Sequence, residues 1–301
     1  MPRDFIPRTV MRGMVRTSVR PILSPSLPVT KQRLALDALG RVASLPPGTS
    51  ITETTLGDRP ADLLEVGTPA TDRAILYLHG GGYTLGSRRT HRALAVHLAA
   101  ATGSPVHALD YRLAPEDPYP AAVEDCVAAV TALFESGLEP SRVAIVGDSA
   151  GGGLALATAI HLRDHGGPLP GVLGLISPWA DLTLDHLEPV ANDPMLRREW
   201  LESCAPAYAG DLDRADPAVS PALADLAGLP PMVVHAGSDE ILLGDAETIV
   251  KRARAAGVPV DYEFLDGCWH VMHLHAGLVR ESTQAVELLA TALARAAALD
   301  S

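Results

Sequence analysis

Ser149 sits two residues after Gly147 and two before Gly151, in the stretch Gly147-Asp148-Ser149-Ala150-Gly151-Gly152-Gly153. An apolar run, 143–146, leads into it, and an apolar run of good helix formers, 154–160, leads out. A strand that turns sharply into a helix lifts a serine hydroxyl clear of the backbone and makes it a nucleophile. Strand and helix crowd together at such a turn, so small residues must flank the serine; Gly147 and Gly151 meet that need. The helix start also aims amide N–H groups and the positive end of its dipole at the serine, favouring negative charge there.

A serine hydroxyl needs a base to take its proton, and the base needs a carboxylate to fix its tautomer and stabilise its charged form. Where such a turn ends a strand of an α/β sheet, the chain order is Ser, then Asp or Glu, then His. Asp239 follows the apolar run 232–236 and is expected to be the orienting acid. His270 follows the run 260–264, after Gly267, and is expected to be the base. Glu240 and Asp245 compete with Asp239; the first is expected to point elsewhere, the second to lie in the next helix, both as solvated carboxylates. His273 and His275 crowd the base position and read as ordinary helix residues. Three histidines without a cysteine or carboxylate at ligand spacing do not suggest a metal. The third requirement is a set of donors for an oxyanion. Gly80-Gly81-Gly82, after His79, can expose backbone N–H groups with no side chain in the way. A phosphate loop is excluded, because no Gly-Lys-Ser/Thr follows and the dinucleotide glycine spacing is absent.

These groups fall at the ends of short apolar runs that read as strands, at 50–56, 61–66, 74–78, 106–109, 143–146, 172–176, 232–236 and 260–264. Helical segments between them cover 92–102, 121–136, 150–165 and 246–256. The alternation predicts an α/β fold: a mostly parallel central sheet with helices on both faces, whose reacting groups gather beyond the strands' carboxyl ends. Residues 1–301 are expected to form one such domain. The stretch from Asp181 to about Ser220 has no strand signal and carries Pro189, Pro194, Pro206 and Pro217. It reads as a helical insertion, about 183–220, that forms a cap together with proline-broken helices at about 1–45.

A hydrophobic content of 47% suffices for a large core, and the net charge of −12 argues against a nucleic-acid partner. Cys126, Cys204 and Cys268 are too few and too scattered for a disulfide framework, which fits a reducing cytoplasm. Arg8, Arg12, Arg16 and Arg20 recur every four residues on an amphipathic helix that reads as a surface helix, with membrane-surface contact as the alternative. The alanine-rich run 285–299 is interrupted by Glu287 and Arg295, is too short to span a bilayer, and reads as a terminal helix on the core. Stable membrane insertion is therefore not expected.

His79-Gly80-Gly81-Gly82 together with Gly147-Asp148-Ser149-Ala150-Gly151-Gly152 resembles the hormone-sensitive-lipase-like carboxylesterases, the bacterial family IV branch of the α/β-hydrolase fold. Asp110-Tyr111-Arg112-Leu113-Ala114-Pro115-Glu116, Tyr119-Pro120-Ala121-Ala122, Asp193-Pro194-Met195, Ser220-Pro221 and Gly228-Leu229-Pro230-Pro231 extend the resemblance over about residues 70–280. It implies Ser149 as nucleophile, Asp239 as orienting acid, His270 as base, and the amides of Gly81, Gly82 and Ala150 as the oxyanion hole. His79 would brace the glycine loop, and Asp148 and Glu116 would be structural supports. Met272 departs from the aromatic that relatives often carry two positions after the histidine. The implied activity is hydrolysis of short-to-medium acyl esters, with lactones also open, without metal or organic cofactor, on a small-molecule substrate and with a homodimer possible. An amidase, a lipase or a non-catalytic receptor would share the fold. With only 4% aromatics, small dissolved esters suit the chain better than a lipid interface.

Overall fold

The structure is a computed structural model and describes residues 5–40, 44–187 and 193–297. Every apolar run read as a strand folds as one: β1 (Thr49–Leu56), β2 (Arg59–Val66), β3 (Ala74–Leu78), β4 (Val106–Leu109), β5 (Val143–Asp148), β6 (Val172–Ile176), β7 (Met232–Gly237) and β8 (Val260–Leu265). They form one sheet in the order β1-β2-β4-β3-β5-β6-β7-β8. The β1–β2 and β2–β4 pairs are antiparallel and the remaining pairs parallel.

The central strands are apolar throughout because both faces are covered. Leu76 and Leu78 of β3 and Val143 and Ile145 of β5 join one core layer, whereas Ile75, Tyr77, Ala144 and Val146 join the other. Against the first layer lie helices α4 (Ala121–Glu135), α5 (Ala150–Asp164) and α7 (Leu243–Ala255); against the second lie α3 (Arg92–Thr102) and α8 (Arg280–Ala296). Each fully buried Leu or Ile stabilises the fold by roughly 1.5–3 kcal/mol, so this two-sided burial is the main force holding the strand ends in register.

Two further helices, α1 (Arg8–Ser18) and α2 (Val29–Gly40), precede the sheet, and α6 (Arg198–Ala209) lies between β6 and β7. Val19, Leu36 and Trp200, from these regions, line the same cavity as Ser149. The segments 1–4, 41–43 and 188–192, which fall within the expected cap, lie outside the described residues. Three local expectations change. Helix α7 begins at Leu243, which puts Asp245 in its first turn and fully buried, not solvated. His273 and His275 belong to a short 3-10 turn, Met272–His275, and not to an α-helix. The terminal helix starts at Arg280, five residues before the alanine-rich run.

The serine turn depends on close backbone approach. A Cβ on Gly151 would overlap the Leu78 carbonyl, and one on Gly147 would overlap the Gly151 carbonyl. Both obstacles are backbone, which cannot swing aside. Gly151→Ala should therefore destabilise the fold by about 3 kcal/mol or more. A fall in melting temperature of at least about 5 °C is expected. A calorimetric scan showing no change would mean that strand and helix separate there at little cost.

Candidate active site

Ser149 caps α5 with φ 52° and ψ −121°, a left-handed conformation that a side chain disfavours. Backbone bonds clamp it there: its N–H donates to Ile176 O at 2.8 Å, and its carbonyl accepts from Trp179 N at 2.9 Å and Gly152 N at 3.0 Å. Ala150 is the first residue of α5, so its N–H has no carbonyl of its own helix to meet. The adjoining glycine loop leaves β3. Gly81 has φ 126°, and a Cβ there would strike the Leu85 carbonyl. Gly80 N donates to Asp148 Oδ1 at 3.1 Å, tying the loop to the residue before the serine. Buried His79 donates from Nδ1 to Gly80 O at 2.8 Å, and the Tyr111 hydroxyl donates to His79 O at 2.6 Å. The loop is thus held from beneath by Asp148, His79 and Tyr111.

His270 and Ser149 line one cavity of about 220 Å³ together with Gly81 and His91. Its remaining wall is mostly apolar, with Leu23 and Leu39 among the N-terminal groups, Met195 and Leu196 from the insertion, and Leu278 from the segment before α8. A larger cavity, about 300 Å³, opens beside Arg73 and Arg142 at the amino ends of β3, β5 and β6. It contains none of the reactive groups, and sheets of this kind keep their chemistry at the opposite strand ends.

The carboxylate that faces the histidine is Glu240, and the expectation for Asp239 is corrected. Glu240 is fully buried, and its Oε2 lies 3.3 Å from His270 Nδ1. Among the described residues neither atom has another hydrogen-bond partner, so each has only the other to satisfy it. The contact is imperfectly aligned, as such pairs often are without substrate. Glu240 Oε1 accepts from Gly237 N at 3.2 Å, which turns the side chain inward. Asp239 is partly exposed and takes an ion pair from Arg12 of α1. Its backbone, not its side chain, bonds the base loop: Asp239 N donates to Cys268 O at 2.9 Å.

Sequence reasoning also missed how α1 is used. Arg12 donates to Gly267 O at 3.3 Å and stacks on Trp269, 5.3 Å from the ring centroid, while Arg8 donates to Asp266 O at 3.0 Å. Half of the arginine stripe thus grips the loop that carries His270. The arginines of 8–12 and the acidic residues Asp239 and Asp266 were a signal for this, though not a specific one. Asp193 makes a second tie. Its Oδ1 accepts from Met195 N and Leu196 N, and its Oδ2 from Ile241 N, next to Glu240. Glu116 accepts both guanidinium nitrogens of Arg33, which links α2 to the loop after β4.

Burial dominates the electrostatics. It pushes the Asp245 carboxyl up to about 8, although the Ala180 and Asp181 amides donate to it. Burial alone would also raise Asp148, but the neighbouring His91 and the Tyr77 hydroxyl bring it below the usual carboxylate value. Among the described residues no cluster of His, Cys, Asp or Glu has the geometry to hold a metal ion. No helix among them is long and apolar enough to cross a membrane.

This geometry has close counterparts. Residues 75–274 match the family model described as the alpha/beta hydrolase fold. An acetyl-hydrolase of Streptomyces hygroscopicus is 43% identical over 245 residues, covering 77% of this chain and 82% of that one. An esterase of Acinetobacter venetianus is 34% identical over 286 residues, covering 94% and 93%. The crystal structure of an esterase from the bacterial hormone-sensitive lipase family superimposes with a TM-score of 0.91 at 37% identity, covering 97% of this chain and all of that one. A hormone-sensitive lipase from a metagenome library gives 0.93 at 34% identity, covering 98% and 100%. The chain belongs to the α/β-hydrolase fold family, in its hormone-sensitive-lipase-like branch. Its enzyme class is that of the carboxylic ester hydrolases.

The loop that carries His270 rests on buried imidazoles. His235 Nδ1 lies 3.1 Å from His273 Nε2 beneath it. Burial lowers His235 to about 4, and burial followed by the charge of His235 lowers His273 well below the ordinary value of 6.5. Below pH 6.5 the unfolded chain takes up protons that these folded rings refuse. Their contribution to stability is complete above 6.5 and is lost as pH falls through about 4. His273→Gln should flatten this limb: its melting temperature should fall less than the wild type's between pH 6.5 and 4. Parallel curves for the two proteins would show that the pair is not the source.

Proposed function

We propose that this chain is a serine carboxylesterase that hydrolyses short-to-medium acyl esters by two-step acyl transfer. The observation that carries the reading is the strained Ser149 turn sharing a small cavity with His270, behind which stands buried Glu240. His270 removes the Ser149 proton as Oγ attacks the ester carbonyl, and the N–H groups of Gly81, Gly82 and Ala150 receive the oxyanion. Each such donor contributes roughly 3–4 kcal/mol to the transition state. The alcohol leaves with the proton from His270. Water then attacks the acyl-enzyme, its proton passing through His270 back to Ser149 Oγ as the acid departs. Glu240 takes the role first given to Asp239: it fixes His270 with Nδ1 protonated and stabilises the imidazolium.

The cavity of about 220 Å³ supports small acyl groups, since a bulky triglyceride would need considerably more enclosed room. A lactone of similar size presents the same carbonyl and belongs in the same test. We take the segment from α1 through α2 and the insertion bearing α6 as a cap, because Val19, Leu23, Leu36, Met195 and Trp200 from them line the cavity that holds Ser149. Three free cysteines agree with a cytoplasmic setting.

Purified protein should hydrolyse p-nitrophenyl acetate and butyrate far faster than the palmitate, and esters and lactones faster than amides. Ser149→Ala should lower kcat by at least about 10⁴-fold. Glu240→Ala should cost about 10³–10⁴-fold in kcat, and Asp239→Ala no more than about tenfold. An active Ser149→Ala protein would sink the mechanism. Equal losses at 239 and 240 would sink the assignment of the acid.

A further inference from the structure

His91 is a polar cavity group that acyl transfer leaves without a role, and its surroundings are built. It lines the cavity holding Ser149 and His270, and its side chain is only 11% exposed. Its Nε2 lies 3.3 Å from Oδ2 of Asp148. Its Nδ1 lies 2.8 Å from Thr90 Oγ1. The Thr90 hydroxyl has one proton, and at 2.9 Å it donates that to Ser87 O, which can only accept. A carboxylate only accepts, so the hydrogen between Asp148 and His91 is carried by His91 Nε2.

The groups around it leave the contact with Asp148 to His91. His79 stacks on His91 at 5.6 Å, and burial followed by the charge of His91 drives His79 down to about 3, so His79 is neutral. His275, also on the cavity wall, is lowered by burial to about 4. The hydroxyls of Tyr77 and Tyr111 stay protonated and donate to Asp148 and to His79 O. Neighbouring Arg92 turns away to Asp62 at 2.7 Å, and Arg88 pairs with Asp62 and Asp110. Among the described residues, Oδ2 of Asp148 is thus left to His91. On its other oxygen Asp148 accepts Gly80 N, the amide that opens the glycine loop.

We propose that His91 is a positioning residue for ester hydrolysis: its Nε2–H fixes the Asp148 carboxylate, which in turn fixes the glycine loop whose amides receive the oxyanion. The inference rests on the serine-esterase reading above. An apolar side chain at 91 would leave Oδ2 of a fully buried carboxylate without its donor, and the loop would lose register with Ser149 Oγ. Ground-state binding of the ester, which depends on the apolar wall, would change little.

His91→Leu and His91→Gln separate the hydrogen bond from mere space filling, since glutamine still brings an N–H within reach of Asp148. With p-nitrophenyl butyrate, His91→Leu should lower kcat about 10–100-fold with KM within about threefold. It should weaken inhibition by a short alkyl trifluoromethyl ketone, which forms a tetrahedral oxyanion on the serine, by a similar factor. His91→Gln should recover most of both, and circular dichroism should report the wild-type fold for each. Wild-type kcat and ketone affinity in His91→Leu would overturn the proposal, as would equal losses in the two variants. The outcomes stay distinguishable from those of the parent reading. An active Ser149→Ala protein overturns both, whereas an inert Ser149→Ala beside an unimpaired His91→Leu overturns this inference alone.

Discussion

Ser149 is held at φ 52°, ψ −121°, a conformation that costs an L-residue of the order of 1–3 kcal/mol. The surrounding structure supplies that strain energy by denying the chain any other route. Strand β5 enters the turn paired on both sides, through β3 and β6, and α5 leaves it with its first turn pressed against the Leu78 and Pro178 backbones. The Ile176, Trp179 and Gly152 hydrogen bonds then leave the serine peptide no freedom. Without the glycines at 147 and 151 the two elements could not approach, and the hydroxyl would lie back along the sheet. The two-sided core matters to chemistry for this reason: it is the anvil on which the turn is bent.

A second consequence is electrostatic. Bringing strand ends, a helix start and a glycine loop together buries Asp148, His79, Glu240 and Asp193 at 1%, 1%, 0% and 2% exposure. A buried charge without partners would cost several kcal/mol. The turn therefore imposes a set of pairings, and these determine its shape. Asp148 collects Gly80 N, Tyr77 and His91; Glu240 collects Gly237 N and His270; Asp193 collects three backbone amides. Each carboxylate joins two segments distant in sequence, so they act as braces between loops that apolar packing cannot reach.

The strands were legible because burial on both faces writes a continuous apolar run, and the serine turn and glycine loop because steric demand writes glycine. Those are constraints a single sequence displays. The choice between Asp239 and Glu240 is of another kind. Both follow β7 in a tight turn, where no period of two or 3.6 says which side chain points inward. Proximity to the strand end favoured Asp239, but the Asp239 N–H bonds Cys268 O and leaves its side chain on the outer edge, one residue out of phase with the histidine. Glu240, with a longer side chain and an apolar run behind it, reaches inward. His91 was hidden for a similar reason. It lies in Ser87-Arg88-Arg89-Thr90-His91-Arg92, far from Asp148 in sequence, and only the folded chain sets Asp148 beside it.

The displaced Asp239 has a use of its own, and it explains the arginines of α1. Arg12 and Asp239 are 27% and 29% exposed as side chains, and pairs so open contribute at most about 1 kcal/mol. Their attraction cannot be what holds α1 to the body; Met11 and Val15, at 5% and 2% exposure, do that by burial. Apolar contact is non-directional, however, and would let the helix slide over the loop beneath. Arg12 prevents this by meeting three differently oriented groups at once: the Asp239 carboxylate, the Gly267 carbonyl and the Trp269 ring. Only one placement of α1 satisfies all three. The same helix leads to Val19 and Leu23 on the cavity wall, while Gly267 and Trp269 lead to His270. That wall of the cavity is thereby registered against the loop that carries His270, and a shift in one is felt in the other.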